Sequence, residues 1–362
     1  MKPLLGTWRP ALRGGACWAA LWSVAAAAAP NQSVLAPAGV QAERILTLWH
    51  ITLLVCTAVF VAVLLALLAA IRRATRSARA ASGTAAGAAH GDDPHTVAKT
   101  PDPGAERRSR RIVAAATCLS VALLCGLVVA DFLTDRAVSR LPMADPVRVE
   151  MTGHQWWWET RYQADGDRPS FVTANQLRLP VGRPVLITLK SSDVIHTFWV
   201  PNLHGKRDMI PGRDAQIMLR ADRAGDYRGQ CAEFCGAEHA LMAFSVSAVP
   251  AQDYAAWADH ERQDAIRPED TVARRGMGIF LGDSCAQCHT IRGTPAAGTL
   301  GPDLTHLASR PLLAAGTIAN NPDNLARWIS QPGTMKPATT MPPTQLPPED
   351  LQALVRYLGS LQ

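Results

Sequence analysis

Charged residues are scarce in this 362-residue sequence: Asp, Glu, Lys and Arg together make up only 18%, whereas hydrophobic residues make up 48%. This balance excludes a disordered or fibrous chain and favours a globular protein that carries membrane segments. The length is about twice a common domain length of roughly 150 residues, so we expect at least two domains.

Outside one segment, the chain has almost no excess of positive charge. Residues 72–111 hold nine basic and four acidic residues, which accounts for +5 of the formal net charge of +6. A nucleic-acid-binding surface needs a basic patch on a folded domain, and the remaining sequence offers none. We therefore expect no nucleic-acid partner.

The chain begins with a pattern typical of targeting. Residues 1–29 carry Lys2, Arg9 and Arg13, then an apolar run that ends in small residues. This order predicts a secretory signal peptide. A short third membrane helix is the alternative.

Two longer apolar runs predict transmembrane helices over residues 45–71 and 112–133. A bilayer core requires about 20 apolar residues. The basic loop between the runs, residues 72–111, is placed in the cytoplasm by the positive-inside rule. Residues 30–44 and everything after the second helix then lie on the outer side. In a bacterium this arrangement corresponds to the inner membrane with periplasmic domains.

The outer part divides into two predicted domains, residues 141–262 and 263–362. The first contains short segments of alternating polarity separated by turn signals, a pattern that indicates a β-sandwich. The second is helical, and its last segment repeats leucine and valine at helical spacing. The polar residues 260–270 would tether the second domain to the first.

Soft metal ligands cluster in the first of these domains. Cys231, Cys235, His239 and Met242 fall within twelve residues, and His196 ends a strand-like run upstream. Two thiols, an imidazole and a thioether suit copper. A disulfide between the two cysteines is an alternative outside the cell. A zinc site is another, although structural zinc has no use for a thioether.

The pattern Cys-x-Glu-x-Cys-Gly-x-x-His-x-x-Met resembles subunit II of cytochrome c oxidase. The resemblance implies a cupredoxin domain with a dinuclear copper A centre. By position, Cys231 and Cys235 would bridge the two coppers, and His196 and His239 would each cap one of them.

The same resemblance assigns further roles. Met242 and the backbone carbonyl of Glu233 would be weak axial ligands, and the Glu233 side chain would help to bind magnesium at the interface with subunit I. Trp156, the first of three adjacent tryptophans, would be the residue where electrons enter. Strand alternation places Trp156 and Trp158 on one face and Trp157 on the other. Two further histidines, His154 and His204, are predicted to be structural or surface residues.

One feature of the family is missing. Its second membrane helix often starts with a glutamate that serves proton uptake, whereas residues 108–117 contain no acid. The resemblance therefore gives no support for proton uptake through this subunit.

A second motif, Cys285-Ala-Gln-Cys288-His289, is the attachment signature of a c-type haem. Both thiols would add to the haem vinyl groups, and His289 would bind the iron. A redox-active disulfide is the alternative. Met341 is the predicted distal ligand, with Met335 as its rival, and a thioether there leaves no site for oxygen.

Residues 263–362 also resemble cytochrome c. The resemblance implies that the Pro302 carbonyl orients His289. It also implies that the first and last helices of the domain cross, with Gly276 and Phe280 against Tyr357.

The two resemblances together imply a cytochrome-c-fused (caa-type) subunit II of a bacterial haem-copper oxidase, an all-α cytochrome c domain following the cupredoxin domain. Such a chain accepts electrons at the haem from cytochrome c or a cytochrome bc complex. It passes them through copper to subunit I, which reduces oxygen to water beside subunit III. The alternatives are a quinol oxidase subunit without copper and a membrane-anchored electron carrier or copper-storage protein without an oxidase partner.

Overall fold

The computed structural model describes residues 30–85, 103–140 and 144–362. The predicted signal peptide and residues 86–102 of the predicted basic loop lie outside the described residues. Helices α1 (Val40–Ala85) and α2 (Pro103–Ser139) are long and apolar enough to cross a membrane. They contact each other, and most of their large apolar side chains are exposed. An exposed apolar surface of this length is what a lipid-facing helix pair requires.

Both helices are longer than the predicted spans, 45–71 and 112–133. Helix α1 starts five residues earlier and continues through the basic residues 72–79, and α2 begins at Pro103. The predicted spans are the apolar runs alone, and the helical backbone extends beyond both of them into the basic segment. Alanine and arginine are strong helix formers, so the helical backbone continues beyond the apolar run.

The segment before α1 and the first turn of α1 are bound to the first outer domain. The Ala38 N–H donates to the Asn202 carbonyl at 2.7 Å, and the Gln41 side chain donates to the Met218 carbonyl at 2.9 Å. A Cβ on Gly39 would lie 2.4 Å from the backbone oxygen of Arg220. The two backbone segments therefore approach more closely than any residue but glycine would allow. These contacts fix the start of α1 against the domain.

The first outer domain is a sandwich of two five-stranded sheets. Its strands are β1 (Val147–His154), β2 (Trp157–Tyr162), β3 (Phe171–Ala174), β4 (Gln176–Pro180), β5 (Val185–Ser191), β6 (His196–Trp199), β7 (Arg207–Met209), β8 (Ala215–Leu219), β9 (Gly225–Cys231) and β10 (Ala243–Val249). The sheet orders are β3-β2-β1-β5-β8 and β4-β10-β9-β6-β7. The pairs β1–β5 and β4–β10 are parallel, and the other pairs are antiparallel.

Helix α3 (Ala251–Glu261) closes one edge of this sandwich. Its Trp257 packs edge-on against the rings of Tyr162 and Phe171, at centroid distances of 5.2 and 5.5 Å. The predicted β-sandwich is confirmed. We refer to β1–β10 with α3 as the sandwich domain.

The expected alternation of the three tryptophans is wrong. Trp156 lies in the turn between β1 and β2, Trp157 opens β2, and Trp158 is fully buried. The period of two holds only within a continuous strand, and the turn interrupts it. Trp156 is therefore not part of either strand.

The second outer domain is built from α4 (Thr271–Gly282), α5 (Cys285–Cys288), α6 (Pro322–Ser330) and α7 (Pro348–Leu358), with a short hairpin of β11 (Leu312–Leu313) and β12 (Ile318–Ala319). The prediction of an all-α domain thus overlooked one hairpin. We refer to α4–α7 with β11–β12 as the helical domain.

Helices α4 and α7 cross at a close contact. A Cβ on Gly276 would lie 2.0 Å from the Ala353 carbonyl oxygen, and the rings of Phe280 and Tyr357 meet edge-on at 6.1 Å. The crossing therefore requires glycine at position 276 of α4, because any side chain there would collide with α7.

Candidate metal and haem sites

The side chains predicted to bind copper converge at one end of the second sheet. His196 is the first residue of β6, and Cys231 is the last residue of its neighbour β9. The loop after β9 carries Cys235 and His239, and Met242 lies directly before β10. Two adjacent strands and one loop thus assemble the set.

The two thiols form the centre of this cluster. The Sγ atoms of Cys231 and Cys235 are 3.7 Å apart, whereas a disulfide would hold them at about 2.05 Å. Nδ1 of His196 lies 3.8 Å from the first sulfur, and Nδ1 of His239 lies 3.6 Å from the second. Sδ of Met242 is 3.8 Å from the second sulfur. Each thiol is therefore paired with one imidazole.

The pKa values of the two thiols shift in opposite directions. The hydrogen bond from Cys235 lowers the pKa of Cys231, although burial opposes this, and His196 lowers it further. The same hydrogen bond, together with burial, raises the pKa of Cys235. Because the thiolate is the metal-binding form of cysteine, one sulfur of the pair is already prepared as a ligand.

Glu233 presents its two oxygen-bearing groups differently. Its backbone carbonyl lies 3.2 Å from the Cys231 sulfur, whereas its side chain is exposed. The carbonyl is thus close enough to belong to the cluster, and the carboxylate faces solvent.

Asp193 orients the buried histidine of the cluster. Its Oδ1 lies 2.8 Å from Nε2 of His196, and its carboxylate accepts the N–H groups of Gln155 and Val194 at 2.7 Å each. Burial alone would raise the pKa of Asp193, but these hydrogen bonds bring it below its ordinary value. A carboxylate on Nε2 leaves Nδ1 facing the thiols, as a metal-bound imidazole requires.

Trp156 contacts the metal-binding loop directly. Its indole Nε1 donates to the Cys235 carbonyl at 2.9 Å, and the Gln155 side chain donates to the same oxygen at 2.8 Å. Gly236 has a φ of +111°, and a Cβ there would lie 3.0 Å from the indole ring. The half-buried tryptophan therefore lies one hydrogen bond from a predicted ligand residue.

The other two histidines lie apart from the thiols. His154 stacks on Trp157 at 4.3 Å and contacts the Ser192 hydroxyl at 2.9 Å. His204 is largely buried, and burial, assisted by the charge of Arg207, lowers its pKa to about 4.

The predicted haem-binding residues are also adjacent. Cys285 and Cys288 begin and end α5, and His289 follows directly. Nδ1 of His289 donates to the Pro302 carbonyl at 2.7 Å, which leaves Nε2 for a metal. A Cβ on Gly301 would lie 2.6 Å from this imidazole.

Met341 and Cys285 are both half-buried and pack against the core of the helical domain. Met335 is half-buried but does not belong to that cluster. The surroundings of Met341 therefore support it as the distal ligand in preference to Met335.

Both donor sets fit the groups that the sequence implies. Two unbonded buried thiols with imidazole and thioether neighbours form a soft set that suits copper. Two further free thiols followed by a carbonyl-oriented imidazole suit a covalent haem.

The sequence patterns did not predict a role for three residues near these sites: Asp193, Glu238 and Lys336. The position of Asp193, three residues before His196, is a signal that could have found it. Glu238 and Lys336 are brought close together only by the contact between the two domains, so no local pattern marks them.

Two parts of the chain match known protein families. Residues 164–249 match the family of the cytochrome c oxidase subunit II periplasmic domain, and residues 273–362 match the cytochrome c family.

Two curated relatives are named cytochrome c oxidase subunit 2. The protein of Alkalihalophilus pseudofirmus is 37% identical over 217 residues, which cover 60% of this chain and 61% of that protein. The protein of Bacillus sp. strain PS3 is 33% identical over 229 residues, which cover 60% of this chain and 62% of that one. The chain thus spans about three fifths of the length of these relatives. A solved structure, the periplasmic domain of subunit II of cytochrome oxidase of Bradyrhizobium japonicum, is 29% identical, covers 34% of this chain and 97% of that one, and has a TM-score of 0.31.

The fold and the two donor sets define a membrane-anchored protein with a cupredoxin-like domain and a cytochrome c domain. Its outer part matches first the cytochrome c oxidase subunit II periplasmic domain family and then the cytochrome c family, an order that fits a subunit II with a fused cytochrome c.

Proposed function

We propose that this chain is the electron-transfer subunit of an aerobic respiratory terminal oxidase in the bacterial inner membrane. The observation that carries the proposal is the pairing of each buried thiol with one imidazole, in a chain that also holds a Cys-x-x-Cys-His motif. When bound, the haem supplies a one-electron acceptor for cytochrome c or a cytochrome bc complex, and the copper pair supplies a relay to subunit I, where four electrons and four protons convert oxygen to two waters.

The residues of this chain have distinct tasks in the proposal. The thiols of Cys231 and Cys235 would hold the copper pair together with the imidazoles of His196 and His239, and Met242 and the Glu233 carbonyl would be weak further donors. Asp193 keeps Nδ1 of His196 on the thiols. All of these donors come from this chain, and the chemistry that the copper pair would supply here is electron transfer.

The haem residues follow the same logic. Cys285 and Cys288 would attach the haem, His289, oriented by the Pro302 carbonyl, would bind its iron, and Met341 would be the second residue to bind the iron. The exposed Glu233 carboxylate would be the contribution of this chain to magnesium at the interface with subunit I, and subunit III would complete the complex.

The test is the metal content of the full chain purified in detergent. We expect two coppers per covalent haem and an EPR spectrum in which one unpaired electron couples to two equivalent copper nuclei. Cys235→Ser should abolish this spectrum and leave the haem attached. Cys125→Ser, which changes an exposed cysteine of α2, is the matched control and should change neither.

A chain that binds haem but no copper, with Cys231 and Cys235 oxidised to a disulfide, would overturn the proposal. The oxidase assignment has its own test, which is purification from native membranes. Association with a large polytopic haem protein is expected; its absence would favour the membrane-anchored carrier without an oxidase partner.

A further inference from the structure

The cytochrome c domain is docked on the copper-binding loop through a set of contacts that we call the interdomain seam. The sandwich domain contributes five residues: Trp156, Arg228, Glu238, Leu241 and Ala243. The helical domain contributes another five: Ala315, Gly316, Thr317, Lys336 and Ala338.

A buried lysine lies at the centre of the seam. Nζ of Lys336 donates to the Trp156 carbonyl at 2.9 Å and to the Leu241 carbonyl at 3.1 Å. Its side chain reaches across the domain boundary, and the residue is only 3% exposed. An ammonium group with so little solvent contact must obtain its stabilisation from protein oxygens.

A buried carboxylate accompanies this lysine. Glu238 is 2% exposed, and its Oε1 accepts the backbone N–H of Ala338 at 2.7 Å. The two charges attract each other, although burial lowers the pKa of Lys336 to about 8. The seam therefore encloses one acid and one base, each bonded to the backbone of the opposite domain.

The hairpin of the helical domain provides a second contact. The Ala315 carbonyl accepts the N–H of Ala243, and the Gly316 carbonyl accepts from the Arg228 guanidinium at 3.2 Å. Ala314, Ala315 and Gly316 all have positive φ, between 50° and 77°. A non-glycine residue in this region costs free energy and persists only where the surroundings hold it.

Each sandwich-domain contact in the centre of the seam adjoins a predicted copper ligand. Glu238 precedes His239, Leu241 precedes Met242, and Trp156 donates to the Cys235 carbonyl. On the other side, Lys336 and Ala338 precede Met341 by five and three residues. The seam thus joins the loop of the distal haem ligand to the loop of the copper ligands.

We infer that Lys336 is a positioning residue that locks the cytochrome c domain onto the copper-binding loop at Trp156, so that internal electron transfer occurs in one docked state. This inference rests on the proposed function for its consequence, but the docking itself is a property of the chain alone. Truncating one partner of a buried hydrogen-bonded charge commonly weakens an interface by at least about tenfold.

The test compares Lys336→Met with Lys190→Met in the full chain in detergent. Lys190 is a half-exposed lysine of β5 paired with Glu150, so its replacement removes the same charge away from the seam. Hydrogen–deuterium exchange would be followed at the Ala243 and Ala338 amides, which donate across the seam. We expect protection in the wild type, loss of at least about tenfold in Lys336→Met, and no change in Lys190→Met.

A second measurement separates positioning from folding. Single-turnover transfer from haem to copper should slow by at least about tenfold in Lys336→Met, with the copper EPR spectrum and the haem absorbance unchanged. If Lys336→Met does not fold, hydrogen exchange in the wild type still tests the inference, because unprotected seam amides there would overturn it. If the variant folds, full protection of its seam amides would also overturn the inference.

The outcomes also separate this inference from the proposed function. A protected seam in a chain that binds no copper would sink the proposed function alone. Two bound coppers in a chain with an unprotected seam would sink the docked state alone.

Discussion

At the scale of single residues, His204 makes the sandwich domain sensitive to acid. Its pKa is about 4 in the folded chain, and its ordinary value is 6.5. Between these two pH values the unfolded chain binds a proton that the folded chain does not. The free energy of unfolding therefore falls as the pH decreases from about 6.5 to 4, by about 3 kcal/mol from this group.

Replacement by a neutral side chain isolates this contribution. His204→Gln cannot bind the proton, so its unfolding free energy should decline less steeply over the same pH range. The measurement is denaturant unfolding of the full chain at several pH values, followed by tryptophan fluorescence. Parallel pH profiles for the two proteins would show that His204 does not carry the effect.

The residues at the two sites differ in how readily the sequence reveals them. Cys231, Cys235, His239 and Met242 share one loop, and their spacing alone predicts a copper site. His196 is far away in the sequence and is identified only through the family resemblance. Asp193 lies only three residues before His196, but its role is visible only in the structure, because it acts through the imidazole of another residue.

At the scale of secondary structure, the crossing of α4 and α7 depends on Gly276. Any side chain there would meet the backbone of Ala353 at 2.0 Å. We expect Gly276→Ala to destabilise the helical domain by about 1–3 kcal/mol, since the two helices must separate to accept a methyl group. Denaturant unfolding of the haem-loaded chain, followed by haem absorbance, measures this loss.

The same helix supplies a matched control. Gly278 is exposed, and a Cβ at this position meets nothing within 4 Å. Gly278→Ala should raise the stability by up to about 1 kcal/mol, because alanine is the better helix former. An equal response to the two substitutions would mean that helix propensity, and not the crossing, controls this helix.

The elements themselves were predictable to different degrees. Strands β1, β4, β5, β8 and β10 follow clear alternations of polarity. Strand β9, with the sequence Gly-Asp-Tyr-Arg-Gly-Gln-Cys, has no such pattern. Its backbone is held by pairing with β10 and β6, and such long-range pairing overrides local preference.

At the scale of the whole molecule, the connection between the outer domains is better described as docked than as tethered. The sequence predicts a polar tether at residues 260–270. In the structure, Arg292 donates to the carbonyls of Glu261 and Arg262, and Nε2 of His306 donates to the Gln263 carbonyl at 3.0 Å. The connecting segment is thus bonded to the helical domain. Sequence patterns report local structure, so they could not show that the two domains share a buried seam.

A docked arrangement predicts that internal electron transfer is insensitive to salt and viscosity. The central charges of the seam, Lys336 and Glu238, are buried, and buried charges are screened much less than exposed ones. A domain that swings on a tether would move more slowly in a viscous solvent, whereas a docked domain need not move.

The measurement is the single-turnover rate of haem-to-copper transfer in the full chain. From low salt to about 1 M salt, where the Debye length is about 3 Å, and in added glycerol, we expect the rate to change by less than about twofold. Lys336→Met should acquire a viscosity dependence, since its cytochrome c domain must find the docked position before each transfer. A wild-type rate that falls in proportion to viscosity would instead show that the cytochrome c domain must move before each transfer. Residues 260–270 would then act as a flexible tether, and the docked state would not be the resting state of this chain.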